Sequence, residues 1–339
     1  MLKVVYMSDS HLGFDYPIRR RTQRKNRGAD FFINFEKVLA YCLDEKADVL
    51  IHTGDLFFRS NVSQIIIDKA YQLLFDFAEK RIPTFIVPGN HERSHLPISF
   101  FLEHPYLNIF DRPRTYLIEI KGKKLAISGL PNIRNGAKTE FTSIVNNFNR
   151  ENDPADIRLL CLHQVIAGAR VGPSSFRFHK GPDSIDPSSI PTYFDAVLCG
   201  HIHRQQILWQ KTSDGYLPII FAGSTERTSF AERNETKGFY LLEFQDKHLT
   251  PKFITLPTRT MIDIDLRKMT DKNQIEKIIS RATTGINLDS LIRFRVDNPN
   301  IFSFLNREYL REFLPDSVHF QISSQISKTS VHYFQKDRI

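Results

Sequence analysis

The chain has 339 residues, more than one single-core domain usually holds, so a large domain with a smaller companion is expected. With 41% hydrophobic and 25% charged residues, and 28 Phe to fill a core, the composition excludes a disordered or fibrous chain. No apolar run is long enough to cross a bilayer, so no membrane role is expected. The opening MLKVVYMSDS turns polar too soon for a secretory signal and reads as a first buried strand. Cys42, Cys161 and Cys199 lie in apolar stretches and cannot all pair, a usage that suits a reducing, cytoplasmic setting. The net charge of +8 is compatible with a polyanionic partner.

In chain order, one pattern repeats up to about residue 225. A short β-branched or Leu-rich run arrives at a turn, and the turn carries Asp, Asn or His. Lys3-Val4-Val5-Tyr6-Met7 leads to Asp9 and His11, and Val49-Leu50-Ile51 to Gly54-Asp55. Phe85-Ile86-Val87 leads to Gly89-Asn90-His91, Leu159-Leu160-Cys161-Leu162 to His163, and Ala196-Val197-Leu198-Cys199 to His201 and His203. Such runs read as strands buried on both faces. Between them, Phe31, Phe32, Phe35, Val38, Leu39 and Leu43, then Ile66, Ala70, Leu73, Leu74 and Phe77, recur at helical spacing. Strands alternating with helices predict an α/β layered fold, whose ligand site lies beyond the carboxyl ends of its strands. A β-rich stretch closes a first domain, residues 1–258. A small α+β domain, residues 259–339, is then predicted as strand 261–266, helix 271–282, strand 291–296, helix 304–313 and strand 318–322. It carries no cluster suggestive of catalysis.

Five strand ends therefore offer seven candidate ligands at one place: Asp9, His11, Asp55, Asn90, His163, His201 and His203. Mixed imidazole and carboxylate ligation without thiolates suits manganese, iron or zinc and speaks against a structural zinc site. Seven ligands exceed one tetrahedral ion and match two. A carboxylate has lone pairs enough to bridge two ions, and Asp55, alone at its strand end, is the natural bridge. His52, inside the second strand, reads as a core residue.

Asp9-Ser10-His11, Gly54-Asp55, Gly89-Asn90-His91-Glu92, His163 and Gly200-His201-Ile202-His203 resemble the five motifs of the calcineurin-like metallophosphoesterase superfamily, in the same order, over about two thirds of the chain. Ser8 to Gly13, Gly54 to Phe57, Leu162 to Gln164 and Arg259 opening a small domain are similar to SbcD-type DNA repair nucleases. The resemblance implies a two-sheet sandwich flanked by helices with a C-terminal capping domain, and a pair of Mn ions, with Fe, Zn or Mg as alternatives. Asp9, His11, Asp55 and His203 would hold one ion and Asp55, Asn90, His163 and His201 the other. His91 would face the scissile phosphate as the catalytic residue, which a side chain titrating near neutrality suits. It further implies a homodimer, through segments near Ile65–Phe77 and Pro97–Leu102, and an SbcC-type coiled-coil ATPase partner. Two residues depart from the pattern. Glu92 stands where Asp is usual, and Phe58 where many such nucleases place a His associated with exonuclease chemistry. Exonuclease and endonuclease modes therefore both stay open.

DNA as substrate is further suggested by Arg19, Arg20, Arg21, Arg24, Lys25 and Arg27, directly after the first ligand turn. Arg170 and Arg177 in the loop after His163 form a second candidate surface, and Arg227 to Arg233 a third. None reads bases, so backbone contact without sequence preference is expected. The competing expectation is a phosphodiesterase or phosphatase for a small molecule, which would use the same metals but not the basic loop.

Overall fold

The computed structural model describes residues 1–15, 27–93, 96–97, 104–148, 154–213, 215–316 and 318–324. Two compact units meet between Thr258 and Arg259. The first is built on two six-stranded mixed sheets. One runs, in spatial order, His248–Thr255, Gly238–Gln245, Leu2–Met7, Val49–His52, Thr84–Ile86, Leu107–Ile109. Its last four strands are parallel. The other runs Gln206–Thr212, Gly215–Phe221, Ala196–Gly200, Ile157–His163, Lys123–Gly129, Arg114–Ile120, with four parallel strands between antiparallel edges.

The two-residue period of a strand sorts side chains into layers. Val5 and Met7 of the first strand face the helices, while Val4 and Tyr6 face the second sheet. Helix Gly28–Asp44 buries Phe31, Phe32, Phe35, Val38, Leu39 and Cys42 on one stripe, and helix Gln64–Ala78 buries Ile66, Ala70, Leu74 and Phe77. Helix Ala137–Asn146 covers the far face of the second sheet with Phe141 and Val145. The result is helix, sheet, sheet, helix, as the sequence predicts. Each fully buried Phe contributes about 1.5–3 kcal/mol to this arrangement.

Beneath the strand ends, the buried Tyr6 hydroxyl crosses between the sheets. It donates toward Cys199 O (2.8 Å) and Ile220 O (3.1 Å) and accepts from Thr53 Oγ1 (3.3 Å). Gly200, at the end of its strand, lets the backbones touch here. A Cβ at this position would overlap Thr53 O and Ser8 Oγ and stand 2.7 Å from His163 Nδ1.

The second unit has three parallel strands, Met261–Asp265, Leu291–Val296 and His319–Ser324. Ile264, Ile292, Phe294 and Val296 pack with Ile275 and Ile279 of helix Lys272–Thr283. On the opposite parity Arg293 makes a bidentate pair with Asp263 (2.9 and 2.7 Å), and Arg295 reaches both Asp263 and Asp265. The helix expected over 304–313 is instead two, Pro299–Phe304 and Arg307–Arg311. Leu305 leaves helical geometry (ψ 59°), and the Asn306 side chain accepts from Tyr309 N at 2.9 Å, a cap that starts a new helix. No helix among the described residues is long and apolar enough to cross a membrane.

Because rigid backbone blocks the space at Gly200, Gly200→Ala should lower stability by about 2–3 kcal/mol. Urea unfolding in the presence of chelator should show a lower midpoint at unchanged slope. An unchanged midpoint would contradict the close approach.

Candidate metal centre

The turns after the strands are unusual in their backbone. Asp9 (φ 51°), His11 (φ 45°), Asp55 (φ 53°) and His201 (φ 77°) all occupy the left-handed region that side-chain-bearing residues avoid. Asp, Asn and His tolerate it best, yet each instance costs on the order of 1–3 kcal/mol and persists when the surroundings impose it. Here the imposition is a ladder of backbone bonds between turns. Asp9 N donates to Gly54 O (2.9 Å), His11 N to Asp55 O (3.0 Å) and Leu12 N to Leu56 O (2.7 Å). The first two turns are thereby locked side by side.

All seven candidate ligands come together. Asp9, His11 and His203 form one group whose donor atoms lie within 4.8 Å of one another, and Asp9, Asp55 and His163 form another. His11 Nε2 and His203 Nε2 face each other at 2.9 Å. Asn90 Oδ1 sits 2.9 Å from His163 Nε2 and 2.8 Å from His201 Nδ1. His163 Nε2 is 3.4 Å from Asp55 Oδ2. Asp9 belongs to both groups, and Asp55 links the second of them to His11 and His91, where the sequence pointed to Asp55 alone as the bridge. Burial lowers His11 well below the usual imidazole range and His201 to about 3, so both present neutral lone pairs. Burial by itself would raise Asp55, but His163 and the other surrounding imidazoles hold it well below the carboxylate range. Buried, mixed nitrogen and oxygen donors arranged in two adjoining groups fit a pair of divalent cations.

Hydrogen bonds behind the donors set their orientation. His201 N donates to Asp9 (3.1 Å), and His91 N to Asp55 Oδ1 (2.9 Å). His163 Nδ1 donates to Thr53 O (2.7 Å), which leaves Nε2 for the site. Glu92 joins two turns through its carboxylate, accepting from Phe57 N (2.6 Å) and Gly89 N (2.8 Å). Its extra methylene relative to Asp is accommodated in full burial.

The sequence alone did not single out Glu232 or Lys237. Glu232 Oε1 accepts from His203 Nδ1 (3.1 Å) and Thr228 Oγ1 (2.6 Å), while Oε2 pairs with Lys237 Nζ (2.7 Å). The Lys237 ammonium is fully buried and also donates to His203 O (2.9 Å) and Glu235 Oε2 (3.0 Å). Burial would raise Glu232, yet His203 and Lys237 hold it well below the carboxylate range. Burial would lower His203, but the Glu232 bond together with the charges of Asp9 and Glu232 raises it. A carboxylate behind a histidine fixes its tautomer with Nε2 as the free lone pair. The signal available in the sequence was a polar run of acids, arginines and a lysine, which reads equally well as a solvated loop.

His91 differs from the buried donors, being 40% exposed at its side chain. Its Nδ1 donates to Phe58 O, and its Nε2 stands 3.8 Å from Asp55 Oδ2. Donor distances alone would also admit it beside His11 and Asp55. The Phe58 ring lines a small cavity with Gly13, Asp15, Arg59, Val62, Ser63 and Ile66. His52 is a core residue as expected, bonded through Nε2 to Ser10 Oγ (2.9 Å) and edge-on to Phe35.

Of the cationic residues singled out, Arg19, Arg20, Arg21, Arg24 and Lys25 lie outside the described residues. Arg27 is not a surface cation. Its guanidinium bonds Arg227 O, lies 3.7 Å from Glu226, and packs near the Phe14 and Phe31 rings. Arg227 is spent on Glu235 O (3.0 Å) and Arg233 on Phe230 O (3.2 Å), so the third surface closes its own loop. Arg170 and Arg177 are exposed.

The chain is similar to the DNA double-strand break repair protein Mre11 of Saccharolobus solfataricus, at 25% identity over 86% of this chain and 69% of that protein. It is also similar to the Mre11 protein of Methanocaldococcus jannaschii, at 28% identity over 90% of this chain and 77% of that protein. Among solved structures, a dimetal phosphatase from Danio rerio is 11% identical over 74% of this chain and 95% of that chain, with a TM-score of 0.44. Residues 2–205, which carry every one of the seven clustered donors, match the calcineurin-like phosphoesterase family, and the chain belongs to that family.

Proposed function

We propose that this phosphoesterase is a manganese-dependent nuclease that hydrolyses DNA phosphodiesters, with residues 1–258 as the nuclease domain and 259–339 as a capping domain. The observation that carries it is the set of adjoining donor groups built on buried Asp9 and Asp55, with half-exposed His91 beside them. Asp9, His11, Asp55 and His203 would hold one ion, and Asp55, Asn90, His163 and His201 the other. When bound, such a pair polarises phosphoryl oxygens and lowers the pKa of a coordinated water.

The protein's own residues supply orientation and proton transfer. With Nδ1 donating to Phe58 O, the His91 imidazole presents Nε2 as its free nitrogen toward Asp55 and the donor cluster. Protonated there, it would donate to the leaving oxygen. The Phe58 side chain can neither donate to phosphate nor move a proton, so its contribution here is the backbone carbonyl that aims His91. DNA as substrate is supported by the Mre11 relatives, the net charge and exposed Arg170 and Arg177. On the resemblance to SbcD-type nucleases, a homodimer and a coiled-coil ATPase partner are proposed. Ile65, 66% exposed on helix Gln64–Ala78, suits a contact between copies. A monomeric mass by light scattering at micromolar concentration would count against the dimer.

The direct test is incubation of the purified protein and Mn with end-labelled single- and double-stranded DNA, closed circular DNA and a chromogenic phosphodiester. Cleavage of DNA is expected, its loss with chelator, and its return with added Mn. Asp55→Ala should remove activity, whereas His91→Ala should reduce kcat by about 10²–10⁴-fold while bound metal, read by elemental analysis, stays. Hydrolysis of the small ester with untouched DNA would overturn the nuclease assignment and leave the family intact.

Glu232→Gln tests the carboxylate behind His203. Metal affinity measured by calorimetry should fall by about 10–100-fold. An unaltered affinity would make Glu232 a packing residue.

A further inference from the structure

After His163 the chain makes a small hairpin, strand Arg170–Val171 paired antiparallel with Phe176–Arg177. Its tip exposes an aromatic ring: Phe176 is 53% exposed. An isolated exposed apolar residue is ordinary. This one is braced, edge-on to Phe178 at 5.5 Å between centroids and near His179 at 6.4 Å, so that a face is left available. Arg177 and its cross-strand partner Arg170, both exposed, project by the two-residue period to the other face of the hairpin, and no Asp or Glu occurs from Gln164 to Pro182.

The hairpin is also fastened to the ligand-bearing loop. Gln206 accepts from Arg170 N and donates to Arg170 O, both at 2.9 Å. Arg204, the neighbour of His203, donates to Ser175 Oγ at 3.0 Å, and Ser175 is the neighbour of Phe176. One side-chain contact therefore separates the residue after a proposed metal ligand from the residue before the exposed ring. A nucleic-acid strand whose phosphate lies at the donor cluster would pass the hairpin within a few nucleotides.

We propose that Phe176 is a stacking subsite for an unpaired nucleobase flanking the scissile phosphate, on a hairpin that carries no acidic side chain. The inference rests on the DNA reading and deepens it to strands with an unstacked base, such as single strands or frayed ends. Every base has a π-face, so this subsite accepts any sequence, whereas a base still paired and stacked in a duplex cannot lie on the ring.

The test measures binding of the Mn-loaded protein to a short single-stranded oligonucleotide with a cleavage-resistant phosphorothioate backbone, intact or carrying a string of abasic positions. Phe176→Ala and Phe176→Leu should each weaken binding of the intact strand about tenfold, and Phe176→Tyr should restore it. On the abasic strand wild type and Phe176→Ala should bind alike, since the ring then has nothing to stack on. The dependence on salt should keep its slope in the Phe176 variants, since stacking releases no counterion. Equal affinity of wild type and both Phe176→Ala and Phe176→Leu for the intact strand would overturn the subsite while leaving the nuclease reading in place. Failure of wild type to bind the oligonucleotide would overturn both.

Discussion

Two carboxylates buried at the seam between two sheets are the constraint on which this site depends. Asp9 and Asp55 are out of water, and the groups that meet them are imidazoles and backbone N–H donors from several turns. Removing a carboxylate from water costs several kcal/mol unless opposite charge or hydrogen bonds offset it. The imidazoles around them, His163 above all, offset part of that. A pair of divalent cations would offset it strongly, so the same arrangement that is expensive for the fold is a strong cation site. The left-handed backbone at Asp9, His11, Asp55 and His201 points the same way, because strain of this kind persists where the surroundings over-determine it.

What over-determines it is the join between the sheets. His163 and His201 arrive from the second sheet, and Asp9, His11 and Asp55 from the first, so their meeting requires the two sheets to keep a fixed offset. Tyr6, its hydroxyl reaching carbonyls of the second sheet, and Gly200, its missing side chain admitting Thr53 and Ser8, hold that offset directly beneath the site. A side chain within bonding distance on both sides restricts sliding of one sheet over the other, which would separate donors that now lie within 5 Å.

The loop from Ser224 to Lys237 adds support from a third direction. Lys237, Glu232 and His203 form a chain of charge-assisted bonds anchored on a fully buried ammonium, and charge-assisted bonds are shorter and stronger than neutral ones. Arg227 and Arg233, which as a sequence look like a basic surface, are drawn into the same loop by carbonyl oxygens. Exposed Arg170 and Arg177 belong to the hairpin after His163.

The sequence by itself determined the layered α/β class, the five ligand-bearing strands, the two long helices of the first unit, the three strands and first helix of the second, and the seven residues that converge. Each of these is written in local spacing: period two or an unbroken apolar run for strands, period 3.6 for helices, and ligand-type residues stopping the runs. It did not determine the break at Leu305–Asn306, because a cap there competes with a helical pattern whose apolar residues continue through it. Glu232, Lys237, the inward turn of Arg27 and the exposure of Phe176 were decided by tertiary structure. An acid, a lysine, an arginine or a phenylalanine in a loop has the same local signature whether it is buried or solvated. The choice is made by which distant groups, here His203, Glu226 and the rings of Phe14 and Phe31, fold up against it.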